Sequence, residues 1–174
     1  MAIHYDHSHS ASGLSLPELL VSMAVLTLLF AFTIPSMKSM VADRRVSALT
    51  ADLYRSLVLA RSEAIKRRSV VSVCSSRDAA YCDAENPEWQ YGWLVFSDEN
   101  NDGLRSNSER LIWVAPSQPE VMTIQWNRGA SVRFNSRGQT TTAGSFVICE
   151  GSAFRAVVIS LTGRPRVEER SSCS

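Results

Sequence analysis

Histidine is missing from almost the whole chain of 174 residues. The three histidines are His4, His7 and His9, so none follows Gly13. If this leader is removed, the remaining chain can support neither Ser–His nor Cys–His catalysis, nor a metal site built on imidazole. The cysteines show no CxxC spacing that would indicate zinc. These absences argue against an enzyme.

Lysine and arginine are also unevenly distributed. The first 13 residues contain neither, and residues 82–127 carry eight acids against two arginines. Residues 38–68 carry eight lysines or arginines against three acids, and residues 128–174 carry seven arginines against three glutamates. We therefore expect any polyanion to bind near the two basic regions rather than the acidic middle.

A long apolar run follows the leader. Residues 14–37 form a run of 24 residues in which Glu18 is the only formal charge. A helix of about 20 apolar residues spans a bilayer, so this run is predicted to be a transmembrane helix. Pro17 falls in its first turn, where the missing N–H is harmless, and Pro35 is expected to bend it near the far end. A cleaved secretory signal is the alternative, but the run is too long for an h-region and lacks a basic n-region.

Helical periodicity continues over residues 38–68. Apolar residues recur there at steps of three and four, which is typical of a helix with one buried face. This apolar stripe consists of Val46, Leu49, Leu53, Leu57, Ala60 and Ala64. One helix of about 50 residues is therefore predicted to run from the membrane into a globular domain.

The four cysteines are Cys74, Cys82, Cys149 and Cys173. An even number on a membrane-anchored chain favours an oxidising compartment and two disulfides. Among the three possible pairings, Cys74–Cys82 with Cys149–Cys173 is preferred because both bonds close local loops. Four free thiols are the alternative.

After residue 68 the apolar period changes from 3.6 to 2, which is typical of strands. The predicted strands are 69–75, 91–97, 110–115, 121–126, 131–135, 145–150 and 154–161. Turn signals lie at 127–129, 137–138 and 162–163. This order predicts an α+β fold, with the apolar stripe packed on an antiparallel sheet of a globular domain at 69–174. Trp93, Trp113 and Trp126 are expected in the core or on a sheet face.

The start of the apolar run contains a processing signal. Gly13, followed by the sequence LSLPELL at 14–20, resembles the class III signal of type IV prepilins and type II secretion pseudopilins. The resemblance implies that a prepilin peptidase removes residues 1–13 and that Leu14 is then N-methylated. Two features depart from the usual signal, namely Leu14 in place of Phe and a leader without Lys or Arg.

The same resemblance implies a role for Glu18 in assembly. In a filament, Glu18 would face the new α-amino group of Leu14 on a neighbouring subunit. A buried carboxylate is tolerated when a cation pairs with it and is costly when it is alone, so the charge would set the register of assembly. Pro35 corresponds to the helix-breaking proline of such anchors.

The order of features along the mature chain resembles the GspH/FimT family of H-type minor pseudopilins and minor pilins. The shared stretches are LVLARSEAIKRRSVVSVC, GWLVFSDENNDG with ERLIW, RFNSRGQTT and ISLTGRPRV. The resemblance implies a type IV pilin-like fold and a subunit of a pilus or pseudopilus tip. It also implies other pilin subunits as partners, a single pass through the inner membrane and a periplasmic globular domain. A type II secretion pseudopilin H, structural and without a DNA role, is the alternative.

Residues 98–109 satisfy the calcium-loop pattern D-x-[DN]-x-[DN]-G-x5-E. The ligands to Ca²⁺ would be Asp98, Asn100, Asp102 and Glu109. However, strands rather than helices flank the loop, and Arg105 occupies the position where an apolar residue normally anchors such a site. The alternative is a hairpin loop held by Asx turns, with Gly103 at positive φ and no cofactor.

The C-terminal segment LTGRPRV at 161–167 is a candidate for phosphate binding. Gly163 would let the backbone approach a partner, and Pro165 would keep the chain extended so that Arg164 and Arg166 project. Guanidinium groups bind phosphate bidentately and keep their charge. The segment could therefore bind double-stranded DNA through its backbone, with little sequence preference and strong salt dependence. Further arginines that could share this face are Arg133, Arg137, Arg155 and Arg170.

The GRxR element also resembles that of FimT-type proteins linked to DNA uptake in natural transformation. This resemblance carries over to Gly163, Arg164 and Arg166 only. The alternative is a solvated β-hairpin whose arginines pair with Glu168 and Glu169, or an edge that contacts the next minor pilin.

Overall fold

A computed structural model describes residues 15–119, 121–169 and 173. Over these residues the chain forms one long helix followed by eight strands, with a short 3-10 turn at Trp89–Tyr91. The elements are α1 (Leu16–Arg67), β1 (Val71–Ser75), β2 (Trp93–Ser97), β3 (Leu111–Ala115), β4 (Thr123–Trp126), β5 (Ser131–Phe134), β6 (Gly144–Glu150), β7 (Ala153–Ile159) and β8 (Pro165–Glu168). The predicted α+β class is confirmed.

The chain divides into two compact units, with the boundary between Lys38 and Ser39. In the first unit, α1 exposes large apolar side chains such as Leu20 and Leu28, and Glu18 is also exposed. Among the residues described, no helix is both long enough and apolar enough to cross a membrane. The anchor at 14–37 and the bend at Pro35 therefore stay predictions.

The second unit contains the predicted apolar stripe of α1. All six of its side chains are at most 2% exposed, which confirms the sequence interpretation. The helix ends in a Schellman motif, in which Arg68 takes a positive φ of 55°. The N–H of Arg68 donates to the Ile65 carbonyl and that of Ser69 to the Ala64 carbonyl, both at 3.3 Å. This reversal directs the chain into β1.

The strands form two antiparallel sheets, whereas the sequence predicted one. The described strands pair in the orders β3-β2-β1-β5 and β4-β6-β7-β8. Period-2 patterning shows which face of a strand is buried but not which strand is its neighbour, because pairing is a long-range choice. The seven predicted strands all form, and β8 is additional. Pro165 begins this edge strand, which is one of the few strand positions that a proline can occupy.

One hydrophobic cluster joins α1 to both sheets. Phe146 stacks on Trp126 with ring centroids 4.4 Å apart and meets Trp89 edge-to-face at 4.7 Å. Trp93 is buried in the core, and Trp113, on the edge strand β3, is 51% exposed on a sheet face, so both lie in one of the two predicted settings. The helix and both sheets are therefore held by one shared interior.

Both predicted disulfides are present. Cys74–Cys82 has a Cα–Cα distance of 5.6 Å and Cys149–Cys173 one of 6.2 Å. Cys74 belongs to a second, small cluster with Leu94 and Phe96. The strands β1 and β2 are thus buried on both faces, since the opposite face packs into the main cluster. The Cys74–Cys82 bond closes the loop that follows β1 over this second cluster.

Candidate nucleic-acid interface

The GRxR element lies in the hairpin that connects β7 to β8. The Gly163 N–H donates to the Ser160 carbonyl at 2.8 Å and closes the turn. In the ladder that follows, Pro165 pairs with Ile159 and Arg166 with Val158. The hairpin alternative from the sequence is therefore the conformation that the structure adopts.

Gly163 packs closely against its own chain, and its approach to a partner stays a prediction. It is buried, with φ at 71°, and a Cβ added there would lie 1.9 Å from the Gly138 carbonyl oxygen. The adjacent Thr140 N–H donates to the Leu161 carbonyl at 3.2 Å. Gly163 is thus needed for close packing of two turns, one after β5 and one after β7. Because β5 and β7 belong to different sheets, this contact joins the sheets.

The C-terminal part of α1 packs against the turn that contains Gly138. A Cβ added at Gly138 would lie 2.6 Å from Ile65 Cδ1 and 3.1 Å from Arg61 Cγ. Arg61 Nε donates to the Gly138 carbonyl at 2.9 Å. The helix and the two turns each place one arginine at or next to this contact, and we name Arg61, Arg137 and Arg164 the basic junction.

The predicted DNA-binding arginines divide into paired and unpaired residues. Arg166 Nε lies 2.6 Å from Glu168 Oε1, and Arg155 forms an ion pair with Asp43 at 3.0 Å. Arg164 is exposed and has no carboxylate partner among the residues described. The pairing of Arg166 with Glu168 is the contact expected of a solvated hairpin.

The remaining candidates also differ from one another. Arg133 donates from Nη1 to the Asn101 carbonyl at 2.7 Å. Arg137 is exposed, and within the described part of the chain no carboxylate pairs with it. Arg170, like Gly13 and Leu14, lies outside the described residues. Arg164 and Arg137 are thus exposed and lack a carboxylate partner in the described structure, whereas Arg133 is held by a backbone carbonyl.

Unlike Arg61, the basic residues Lys66 and Arg67 at the end of α1 are paired with a carboxylate. Glu63 accepts a hydrogen bond from Arg67 Nε at 2.5 Å and lies 3.5 Å from Lys66 Nζ. The hydrogen bond from Arg67 holds the pKa of Glu63 below its ordinary value. Arg61 has no such carboxylate in the described structure. Sequence reasoning did not select Arg61, because periodicity shows only that it lies off the buried stripe.

The acidic loop, residues 98–109, uses its two terminal carboxylates internally. Asp98 is fully buried and accepts hydrogen bonds from Ser72 Oγ at 2.5 Å and from the N–H groups of Asp102 and Gly103. Glu109 is 3% exposed and accepts from the N–H groups of Glu99 and Ser106, at 2.9 and 2.8 Å. All four carboxylate oxygens therefore already have donors.

The middle of the acidic loop is held as the Asx-turn alternative predicted. Asp102 accepts from the Leu104 N–H at 2.7 Å and from Asn100 Nδ2 at 2.8 Å. Gly103 has a positive φ of 79°, and Arg105 Nη1 donates to the Ala80 carbonyl at 2.7 Å. No group of three His, Cys, Asp or Glu side chains in the described chain is placed to hold a metal ion. Ca²⁺ binding stays a prediction.

Comparisons with known proteins agree with this architecture. A family model described as "Type II transport protein GspH" matches residues 49–163. Two crystal structures of the type IV minor pilin FimU from Pseudomonas aeruginosa are similar in fold, each at 20% identity. They give TM-scores of 0.59 and 0.55, cover 75% and 74% of this chain, and are themselves covered over 96% and 99% of their length. Comparison with curated protein sequences gave no match.

Proposed function

The chain belongs to the family of the type II transport protein GspH, and on this premise we propose that it is a minor pilin or pseudopilin of a filament tip. The observation that carries this proposal is the family match over residues 49–163 on a chain with the minor-pilin fold. The proposed mechanism is assembly with other pilin subunits, without catalysis.

Assembly would begin with processing at the N-terminus. In this proposal a prepilin peptidase cuts after Gly13, Leu14 is N-methylated, and the apolar start of α1 holds the subunit in the inner membrane with its globular domain in the periplasm. Support comes from the exposed apolar side chains of α1 and from the exposure of Glu18, which leaves the carboxylate accessible to a neighbouring subunit. The amine of Leu14 would then pair with Glu18 in the filament.

A Glu18→Gln variant tests assembly separately from processing. We expect mass spectrometry of the N-terminus to find the leader removed, because the cut lies five residues away. We expect the subunit to be largely lost from sheared filaments, since the amide cannot neutralise the α-amino group. Glu169→Gln, which removes an exposed charge from the globular domain, is the matched control. Normal incorporation of the Glu18 variant would contradict the pairing.

A second candidate function is binding of double-stranded DNA through the GRxR element during DNA uptake. It is favoured by the exposure of Arg164 without a carboxylate partner among the described residues. The test is a gel shift of the full chain in non-ionic detergent with duplex DNA at rising salt. We expect binding that weakens with salt and is largely lost in Arg164→Gln/Arg166→Gln.

The alternative is a type II secretion pseudopilin H with a structural role alone. An absence of any DNA shift at low salt would favour this alternative and remove the DNA function. Incorporation into secretion pseudopili rather than pili would support it independently. The Glu18 experiment applies to both cases, because both machines would use the same processing and assembly.

A further inference from the structure

We propose that the phosphate-binding surface of this chain is the basic junction. Arg137 and Arg164 bind neighbouring phosphates, and Arg61 holds the turn that carries Arg137 in place. This inference rests on the proposed DNA binding and changes its second anion-binding residue from Arg166 to Arg137. It also assigns a role to α1 of the globular unit, which the sequence did not connect to the GRxR element.

The first argument is charge compensation. A guanidinium already paired with a carboxylate must exchange that partner for a phosphate, whereas an unpaired one gains a partner. Arg166 has Glu168 at 2.6 Å, and Arg155 has Asp43 at 3.0 Å. Arg137 and Arg164 are both exposed, and neither has a carboxylate within ion-pair distance among the described residues. These two exposed side chains can therefore bind an anion without exchanging a carboxylate partner.

The second argument is proximity. Arg137 directly precedes Gly138, and Arg164 directly follows Gly163. The two glycines are packed so closely that a Cβ on Gly163 would come within 1.9 Å of the Gly138 carbonyl oxygen. Consecutive Cα atoms are about 3.8 Å apart, and each arginine is the chain neighbour of one of the two glycines. The backbones of Arg137 and Arg164 are therefore close to each other. Two arginines 27 positions apart in sequence thus flank one contact between turns, which is the placement that the proposed surface needs.

The third argument is rigidity. The Asn135 side-chain oxygen accepts from the N–H groups of Arg137 at 2.9 Å and Gln139 at 3.0 Å, which fixes the first turn. The Gly138 N–H donates to the Asn135 carbonyl at 2.7 Å. On the other side, the Thr140 N–H binds the Leu161 carbonyl. A preorganised pair of arginines loses less conformational freedom on binding a polyanion than two arginines on mobile loops.

Arg61 acts as a positioning residue. Its Nε is committed to the Gly138 carbonyl at 2.9 Å, and it is half-buried against the turn. No carboxylate of the described chain neutralises it, so its charge adds to that of Arg137 and Arg164. It thus fixes the turn that carries Arg137 and at the same time favours an anion beside that turn.

The ligand class follows from this chemistry. The junction offers forked donors and no acidic side chain, which suits oxyanions that are spaced along a backbone. The expected ligand is therefore a polyphosphate backbone, bound without sequence preference.

The test measures how the affinity for duplex DNA depends on salt. The full chain in non-ionic detergent is titrated with a fluorescent DNA duplex by anisotropy, over a series of salt concentrations. Each phosphate contact contributes about 0.9 to the slope of log K against log salt. We expect Arg137→Gln and Arg164→Gln each to reduce that slope by about one contact, and Arg166→Gln to leave it nearly unchanged.

The matched control is Arg128→Gln. Arg128 is exposed, has no carboxylate partner among the described residues and follows β4, the opposite edge of the sheet from β8. It should therefore lower affinity only through net charge and leave the slope unchanged. The basic junction would be overturned if the slope is unchanged in Arg137→Gln. It would also be overturned if Arg166→Gln and Arg128→Gln reduce the slope as much as Arg137→Gln does. Either result would leave DNA binding itself intact.

A second probe separates this inference from the DNA function. If the wild-type chain does not bind DNA at low salt, the proposed DNA role fails, and inorganic tripolyphosphate is titrated instead. Weaker tripolyphosphate binding in Arg137→Gln and Arg164→Gln, but not in Arg128→Gln, would support the junction as an anion site. Absence of tripolyphosphate binding, or an equal loss in all three variants, would overturn it.

Arg61→Lys tests the positioning role. Lysine keeps the charge but lacks the Nε–H that binds the Gly138 carbonyl. We expect a small loss of affinity with an unchanged salt slope, because the number of phosphate contacts is preserved. A reduction of the slope by a full contact would instead place Arg61 directly on a phosphate and contradict a role through Arg137.

Discussion

The acidic loop and the basic junction are two regions of clustered charge that the fold uses in opposite ways. Each contains a glycine at positive φ whose Cβ would collide with a neighbour: Gly103 with Ser131 Oγ at 2.4 Å, and Gly163 with the Gly138 carbonyl oxygen at 1.9 Å. In the acidic loop, Asp98 and Glu109 are buried and bound by backbone N–H groups. In the basic junction, Arg137 and Arg164 remain exposed.

The difference follows from what each charged group can bind within its own chain. A loop exposes many N–H donors, and a carboxylate that accepts several of them stabilises the turn and becomes buried. A guanidinium requires acceptors instead, and in the described part of the basic junction Arg61 is the arginine that has one, the Gly138 carbonyl. A cluster of charge in the sequence is therefore not a site by itself. The side chains that the fold leaves unsatisfied are the ones available to a ligand.

Replacing Asp98 by alanine should have the largest effect. Its carboxylate accepts three hydrogen bonds at a fully buried position, and their loss leaves Ser72 and two N–H groups without a partner. We expect the free energy of unfolding to fall by about 3 kcal/mol, measured by urea denaturation. Glu99→Ala, at an exposed neighbour in the same loop, should change it by about 0.5 kcal/mol or less. Equal effects of the two substitutions would show that Asp98 does not hold the loop.

Replacing Gly163 by alanine should have the next largest effect. The new Cβ would meet the Gly138 carbonyl and also adopt a strained positive φ, so we expect a loss of about 2–3 kcal/mol. Gly151 is the matched control, because its φ is 58° but nothing lies within 4 Å of an added Cβ. Gly151→Ala should therefore cost about 1 kcal/mol, from the backbone alone. A similar cost at both positions in urea denaturation would mean that the two turns separate easily.

Acid should weaken the loop after β1 through Asp78, to a smaller extent. Asp78 Oδ1 accepts from the N–H groups of Ala80 and Tyr81, both at 2.8 Å, and these bonds hold its pKa below the ordinary value. Its contribution is therefore present above that ordinary value and is lost as the pH falls through the lowered pKa. Asp78→Asn should flatten the decrease of the urea midpoint below about pH 4.

Asp83 should contribute to the pH dependence of stability in the opposite direction from Asp78, and it serves as the control. Burial raises the pKa of Asp83, so its ionisation disfavours the folded state as the pH rises through the ordinary value to the raised one. Asp83→Asn should therefore steepen the net loss of stability on acidification. If both substitutions shift the pH profile in the same direction, these assignments are wrong.

The smallest expected signal is that of calcium. All four oxygens of Asp98 and Glu109 already accept hydrogen bonds, and a cation would have to displace those donors. We expect calorimetry of the full chain in detergent to detect no heat of binding at millimolar Ca²⁺. A saturable heat that disappears in Asp98→Asn would instead establish a calcium loop and reduce the contrast with the basic junction.

Much of the framework could be predicted from local pattern. The six apolar residues of the stripe are buried, the seven predicted strands form, and both disulfides join the predicted cysteines. Each of these features repeats or closes over a short stretch of chain. The strand β8 was missed because four residues that begin with proline carry little periodic signal.

The candidate site was only partly predictable. Arg164 and Arg137 were both recognised as basic, but Arg166 was ranked above Arg137 because it shares the GRxR element. The structure pairs Arg166 with Glu168, two residues away, and brings Arg61 from α1 to the turn that carries Arg137. No spacing in the sequence indicates that residue 61 meets residue 138, because that contact depends on how the helix packs against the ends of two sheets.

Local periodicity and short loop closure were enough to predict which residues of α1 are buried, where seven of the strands lie and which cysteine pairing is preferred. The sequence also carried the family resemblance that the match over 49–163 confirmed. The division into two sheets, the packing of Gly163 on Gly138 and the set of unpaired charges follow only from the folded structure. Those outcomes depend on contacts between segments far apart in the chain, where packing and hydrogen-bond satisfaction rather than residue order select the partner.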